Sequence, residues 1–230
     1  MKRIDISILI PTRNEVKNIE RLILEILDEL NDYKIEIIVV DDASEDGTAE
    51  LVKIIVKKHR EVKFIRRHSD PDLGRSILMA VNASAGEYII GMDADFNHHP
   101  KYLKSLVEKC DKSKMVVGSR FVSSGGMEYK LRYWLSLFFN ILLKFGLGFP
   151  IWDNTSGYYC ITRNDLISLN PETIFYGYGE YFIRLVAFAK KSGMKIIEFP
   201  VFYPKRTGGK SKSKFWQMLL TYGKVANEVK

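Results

Sequence analysis

The chain has 230 residues, 46% of them apolar and 12% aromatic, and a formal charge of +7. That length supports one substantial α/β domain with a buried core, and the composition excludes a disordered or fibrous chain. The positive charge points to an acidic partner: nucleic acid, an anionic membrane or a phosphate-bearing substrate.

The first two-thirds alternates strand-like and helix-like patterns. Asp5–Pro11 reads as a short strand ended by proline, after which Val16, Ile19, Leu22, Ile23, Ile26, Leu27 and Leu30 recur at helical spacing. Ile35–Val40 is an apolar run of the kind buried on both faces of a parallel sheet, and the polar stretch Asp41–Thr48 follows it. A helix to about Arg60 and a strand near Val62–Arg66 come next. Arg75–Ser84 then reads as a helix, Glu87–Met92 as a strand, Tyr102–Cys110 as a helix and Met115–Gly118 as a further parallel strand. This order predicts a mostly parallel, doubly wound sheet.

The last third differs in character. Tyr129–Phe145 reads as an amphipathic, aromatic-rich helix and Asp153–Gly157 as a polar loop. A strand near Tyr158–Thr162, a helix around Phe182–Lys191 and a strand over Lys195–Val201 follow. A basic loop, Lys205–Lys214, leads into a final amphipathic helix, Phe215–Val229. No internal repeat or linker interrupts the pattern, so the expectation is a single domain over 1–230 with interfacial helices near 129–147 and 214–229.

No run of about 18 uninterrupted apolar residues occurs, so no segment is expected to span a bilayer. The nearest approach, Tyr133–Trp152, is broken by Asn140, Lys144, two glycines and a proline. Cys110 and Cys160 fit no paired-thiol motif and no signal peptide precedes Ile4, which together suggest a reducing, cytosolic setting.

In open sheets of this kind ligands sit at the carboxyl ends of the strands. Here those ends carry Pro11-Thr12-Arg13-Asn14-Glu15, Asp41-Asp42, Asp93-Ala94-Asp95 and Ser119-Arg120. The sharpest signal is Asp93-Ala94-Asp95. Residues i and i+2 on extended chain point the same way, and two carboxylates there make an oxygen-rich site suited to Mg²⁺ or Mn²⁺ with open positions for diphosphate oxygens. For Asp41-Asp42 two readings stand: one aspartate accepts hydrogen bonds from a ribose or base, or both only cap the next helix. His98 and His99 lie beside the acids and read as structural or substrate-facing rather than as metal ligands.

Taken in order, these motifs resemble the family 2 glycosyltransferases, through Pro11–Glu15, Val39–Thr48, Asp93-Ala94-Asp95 and Gly118–Phe121. Asn154-Thr155-Ser156-Gly157 and Pro204–Lys212 narrow the resemblance to the dolichyl-phosphate mannose synthase branch and related polyprenyl-phosphate glycosyltransferases. It covers nearly the whole chain and implies a GT-A-type, Rossmann-like fold with helices on both faces. It also implies inverting transfer of mannose from GDP-mannose to dolichyl or polyprenyl phosphate, with UDP-glucose or another UDP-sugar as the alternative donor.

The resemblance assigns roles residue by residue. Pro11, Arg13, Glu15, Val40 and Asp42 line the nucleotide pocket, and Asp93 and Ala94 bridge nucleotide and metal. Asp95 and Asn97 complete the metal site. Arg120, Arg132 and Ser136 hold the lipid phosphate, and Arg206 reaches the phosphates from the basic loop. Some positions depart from the branch: Arg13 stands where tyrosine is usual, Asn97 where glutamine is, His99 where proline is, and Arg184 near an expected glutamate, with Glu180 one turn earlier.

A phosphate acceptor is chemically consistent with this set. A hydroxyl acceptor needs a general base, whereas a phosphate is already anionic near neutral pH and attacks C1 directly. Such a reaction needs cationic positioning of two anionic reactants, and guanidinium groups bind phosphate bidentately. The aromatic helix around Trp134 and Phe138, and Phe215, Trp216 and Tyr222 behind Lys205, Lys210, Lys212 and Lys214, fit a membrane surface. The expectation is therefore peripheral association with the cytoplasmic face of a membrane, with a membrane-anchoring segment beyond Lys230 or an anchoring subunit as a further expectation. Two other readings stand beside it: a transferase to a soluble hydroxyl using Glu180 as base, and a non-enzymatic regulatory subunit of a membrane complex. A nucleic-acid partner is not expected, because the strand ends are acidic.

Overall fold

The computed structural model describes residues 4–68, 70–205 and 215–229. Strands and helices alternate through β1 (Ile6–Thr12), α1 (Ile19–Glu29), β2 (Ile35–Asp42), α2 (Thr48–Lys58), β3 (Val62–Arg67), α3 (Leu73–Ala83), β4 (Tyr88–Gly91), α4 (Leu103–Lys109) and β5 (Lys114–Ser119). The chain continues through β6 (Gly126–Met127), α5 (Lys130–Ile141), which runs into a π-helical turn at Leu142–Gly146, β7 (Tyr159–Thr162) and α6 (Arg163–Ser168). It ends with α7 (Glu180–Lys191), β8 (Lys195–Pro200), β9 (Phe202–Tyr203) and α8 (Phe215–Glu228).

Seven strands form one sheet in the order β3-β2-β1-β4-β7-β5-β8, and β6 pairs with β9 separately. Every pairing in the large sheet is parallel except those of β7, which runs antiparallel to both β4 and β5. The expected parallel α/β sheet is therefore present, with one reversed strand inserted near its middle. Gly91 and Tyr159 face each other across the β4–β7 pair, and a Cβ at Gly91 would meet the Tyr159 ring at 2.3 Å. Only glycine admits the fully buried tyrosine there.

Strand alternation sends side chains to two cores. Ile8, Ile10, Ile37, Val39, Ile90 and Val116 pack under α1, α2 and α4. Leu9, Ile38, Val40, Ile89 and Val117 pack under α3 and the later helices. Helix α1 docks through Ile19, Leu22, Ile23 and Ile26, spaced so that all lie on one face, and burying each such side chain stabilises by about 1.5–3 kcal/mol.

Strand β2 runs two residues past the expected Ile35–Val40, so Asp41 and Asp42 end the strand and are both buried instead of opening a solvated loop. The short elements β6, α6 and β9 had no counterpart in the sequence reading. No helix among the described residues is long and apolar enough to cross a membrane.

Candidate active site

A cavity of about 440 Å³ opens at the carboxyl ends of β1, β2, β4 and β5. Its wall brings together Pro11, Arg13, Glu15, Asp42, Asp93, Ala94, Asp95, Asn97, Arg120, Arg132 and Ser136, all expected from sequence. Val40 is not on that wall. It lies two residues before Asp42 on the same face of β2, fully buried one pleat deeper in the core. Arg206, Lys210, Lys212 and Lys214 lie outside the described residues, as do the side chains of Phe215 and Trp216.

The loops after β1 and β2 are laced together. Asn14 N–H donates to Ser44 Oγ (2.8 Å), Glu45 N–H to Asn14 Oδ1 (2.9 Å), and Glu15 N–H to Thr48 Oγ1 (2.9 Å). Asn14, Ala43 and Phe96, which follow β1, β2 and β4, all adopt left-handed backbone conformations (φ 55°, 56° and 63°). Strain of this kind persists where surrounding contacts over-determine the chain, and here it sits in three loops around the cavity.

Asp42 is held from inside the protein. Arg67 Nη1 approaches its Oδ1 at 2.5 Å and Asp72 N–H donates to its Oδ2 at 2.8 Å. Arg67 also donates to the carbonyls of Asp70 (3.2 Å) and Asp72 (2.8 Å), which pins the segment carrying Pro71 and Leu73 against the cavity. Burial raises the Asp42 carboxyl above its usual range, more than Arg67 lowers it. Asp41 is fully buried and accepts from Ser44 N–H at 3.2 Å, so it serves the turn into α2.

The Asp93–His99 loop is fixed by His98, which is fully buried. Its Nδ1 accepts from Asp93 N–H (2.8 Å) and its Nε2 lies 3.1 Å from Ser156 O. Those two partners require the neutral tautomer with the proton on Nε2. The ring stacks on Tyr158 at 4.8 Å. His98 is thus structural, as expected. Asp95 accepts from Asn97 N–H (3.1 Å) and Asn97 Nδ2 (3.0 Å), so Asn97 orients the carboxylate. Asp93 remains 43% exposed on the cavity side of the loop.

Arg120 is anchored by a residue the sequence reading did not single out. Asp153 accepts Arg120 Nε at 2.8 Å and Nη2 at 2.6 Å, and Thr155 Oγ1 accepts Nη2 at 2.9 Å. Burial alone would depress this guanidinium, but the Asp153 carboxylate outweighs it and holds Arg120 charged, above the usual arginine range. Glu198 on β8 in turn accepts the Trp152 and Asp153 N–H groups at 2.8 and 2.9 Å. Asn140 of α5 ties in the same loop, donating to Thr155 Oγ1 (3.1 Å) and accepting Asn154 N–H (2.7 Å).

Helix α5 and the turn after it carry polar groups among the inward apolar ones and a second apolar surface outward. Arg132, Ser136 and Asn140 share the inward face with Phe139 and Leu143, and Arg132 and Ser136 reach the cavity. Leu131 (74% exposed), Trp134 (63%), Phe138 (62%), Leu142 and Phe145 (71%) form a continuous outward stripe. Glu180, weighed as a base for a hydroxyl acceptor, is not on the cavity wall. It lies buried 3.7 Å from Arg184, which also donates to the carbonyls of Ile174 and Tyr176.

A glycosyl transferase family 2 model matches residues 7–168. The chain belongs to glycosyl transferase family 2. It is 30% identical over 216 residues to a Pyrococcus furiosus dolichol-phosphate mannosyltransferase, covering 91% of this chain and 59% of that protein, so the chain spans less than two-thirds of this relative. It is 28% identical to a Micrococcus luteus undecaprenyl-phosphate mannosyltransferase, covering 89% of this chain and 85% of that one. Among solved structures, glucosyl-3-phosphoglycerate synthase from Mycobacterium tuberculosis in complex with Mg²⁺ and UDP superposes with a TM-score of 0.71 at 20% identity, over 98% of this chain and 79% of that one. That likeness shows the GT-A glycosyltransferase fold for this family 2 chain.

Proposed function

We propose that this chain transfers a sugar, with inversion, from a nucleoside diphosphate to a polyprenyl phosphate such as dolichyl phosphate, at the cytoplasmic face of a membrane. The carrying observation is how charge is divided among the elements that line the cavity. Every carboxylate on its wall, Glu15, Asp42, Asp93 and Asp95, comes from the loops at the ends of β1, β2 and β4. The remaining lining, from Arg120 and α5 through Thr155 to α7 and α8, supplies cations and hydroxyls but no carboxylate among the described residues. These elements offer a hydroxyl acceptor no carboxylate base of their own, whereas a phosphate needs none.

In this reading an acceptor phosphate oxygen, oriented by Arg132 and Ser136 with Arg120 beside them, attacks C1 of the sugar. The new bond is C1–O–phosphate, and the bond to the nucleoside diphosphate breaks on the opposite face. No proton has to move, so the residues contribute positioning and charge. Asp93, Asp95 and the Asn97 amide offer hard oxygen donors beside the cavity, a set that fits Mg²⁺ or Mn²⁺. When bound, the ion would offset the charge of the departing diphosphate. The outward stripe of α5 supports a lipid acceptor, because it gives the helix an apolar surface next to the face that carries Arg132 and Ser136. The two unpaired cysteines suit a reducing compartment.

GDP-mannose is the proposed donor, on the strength of the mannosyltransferase relatives. A UDP-sugar is the second reading, favoured by the UDP held in the structural neighbour. Transfer of labelled sugar to a short polyprenyl phosphate, with and without Mn²⁺, tests both. GDP-mannose, UDP-glucose and UDP-N-acetylglucosamine are compared side by side. Metal-dependent, solvent-extractable product from one donor is the expected result, and no product from any donor refutes the proposal.

A further inference from the structure

Tyr222 lies on α8, remote in sequence from every motif of the site, yet it lines the cavity. Its ring packs in the core beside Phe139 of α5, with centroids 6.4 Å apart. Its hydroxyl sits in a notch left by Gly179, where a Cβ would come within 1.7 Å of the oxygen. The notch therefore requires glycine, and a larger residue would expel the hydroxyl from the cavity wall.

Glu180, Asp93 and Arg132 lie close enough to the Tyr222 hydroxyl to influence its ionisation. Burial, and then the Glu180 carboxylate, push the phenol well above its usual range, so it is a protonated donor at neutral pH.

We propose that Tyr222 donates a hydrogen bond to the acceptor phosphate, completing an anion site with Arg132 and Ser136 across the α5–α8 junction. This rests on the polyprenyl-phosphate reading above. Tyr222 is placed on the acceptor side by Phe139, which lies one turn beyond Ser136 on α5. Tyr181, a second tyrosine of the cavity, differs: its hydroxyl lies 3.1 Å from where a Cβ on Gly157 would stand, and Asp93 is the charged group that most affects it. On this assignment the acceptor site is complete only with α8 docked against α7.

The test is steady-state kinetics of the full chain in detergent with a short polyprenyl phosphate and the donor that supports transfer. Tyr222→Phe keeps the ring and its packing but removes the donor. Losing a hydrogen bond to a charged group should raise the acceptor KM about 10- to 100-fold, with the donor KM and the thermal midpoint unchanged. Gly179→Ala should raise the acceptor KM in the otherwise unaltered chain and have a smaller further effect in the Tyr222→Phe background, because both changes remove the same contact. Failure of the unaltered chain to transfer overturns the functional reading and this assignment with it. Transfer with an unchanged acceptor KM in Tyr222→Phe, or with donor and acceptor KM rising together, overturns this assignment alone.

Discussion

Asp153 grips Arg120 along the whole edge of its guanidinium, with Oδ2 accepting both Nε (2.8 Å) and the Arg120 backbone N–H (2.9 Å) while Oδ1 accepts Nη2 (2.6 Å). Both residues are buried, so each charge depends on the other for compensation. Removing one partner of such a pair typically costs about 3–5 kcal/mol, because the other is left buried and uncompensated. Asp153→Ala should lower unfolding stability by that amount in urea titrations, although Asp153 does not line the cavity. Arg120→Ala should destabilise similarly and also weaken use of the lipid phosphate more than binding of the nucleotide sugar. Equal losses for both substrates would assign Arg120 a purely structural role.

The Asp95–Asn97 contact joins a carboxylate donor to an amide that aims it and offers a donor oxygen of its own. Asp95→Ala should abolish metal-dependent transfer while leaving the circular dichroism spectrum unchanged. Asn97→Ala removes the Nδ2 hydrogen bond and the amide oxygen but keeps the backbone N–H bond and the Asp95 carboxylate, and loss of an orienting partner typically weakens metal binding about 10- to 100-fold. Titrating Mn²⁺ into each variant, with activity and calorimetry as readouts, distinguishes them. Near-normal turnover in Asp95→Ala would rule out the metal role.

Glu36 predicts the acid limb of stability. It lies on β2 away from the cavity, accepting from Ser7 Oγ (2.6 Å) and Ala85 N–H (2.6 Å), with Lys63 Nζ 2.5 Å from its other oxygen. Burial raises its pKa, but Lys63, Ser7 and the Ala85 N–H together lower it further, to a net position below the ordinary 4.5. A depressed carboxylate contributes stability that is fully present above its unfolded pKa and lost as pH falls through the folded one. Glu36→Gln should therefore be less stable at neutral pH, by about 1–3 kcal/mol. The difference should shrink below pH 4.5, where the unaltered chain loses its own advantage. A constant gap across that range would show that Glu36 does not titrate there.

Much of the site was legible because local sequence rules are strict at strand ends. Asp93-Ala94-Asp95 had to follow an apolar strand, and in a parallel sheet every such end lies on one edge. What stayed hidden depends on partners far apart in sequence. Asp42 and Arg67 are 25 residues apart, and Arg120 and Asp153 are 33 apart. No periodicity links such pairs, so the chain read as a series of motifs without the internal clamps that hold them. The reversal of β7 was equally invisible, because an apolar strand looks the same in either direction. For α5 the sequence showed two faces and the structure shows which one is turned outward.

The fate of Glu180 separates the acceptor classes. It is buried beside Arg184 at the start of α7, and the cavity wall passes it by. Glu180→Gln should lower stability, since Arg184 loses its nearby carboxylate, but kcat measured well below the unfolding temperature should be unchanged. A fall of several orders of magnitude in kcat with the fold intact would restore the hydroxyl-acceptor reading with Glu180 as its base.

The outward stripe of α5 makes the membrane proposal quantitative. Helices on soluble proteins turn their apolar face inward, whereas α5 and the turn after it bury Phe139 and Leu143 and also expose Leu131, Trp134, Phe138 and Phe145. Moving one such side chain from water into an apolar environment is worth about 1.5–3 kcal/mol, or roughly 10- to 150-fold in partitioning. Replacing Trp134 and Phe138 together with serine should therefore weaken binding to anionic phospholipid vesicles by at least about 100-fold in flotation assays. Neither side chain contributes to the buried core, so the urea midpoint should hold. Turnover of a water-soluble, short-chain polyprenyl phosphate should also persist, while a long-chain substrate presented in vesicles should be lost. If vesicle binding survives the double substitution, the stripe does not face lipid and the membrane must be reached through another part of the molecule.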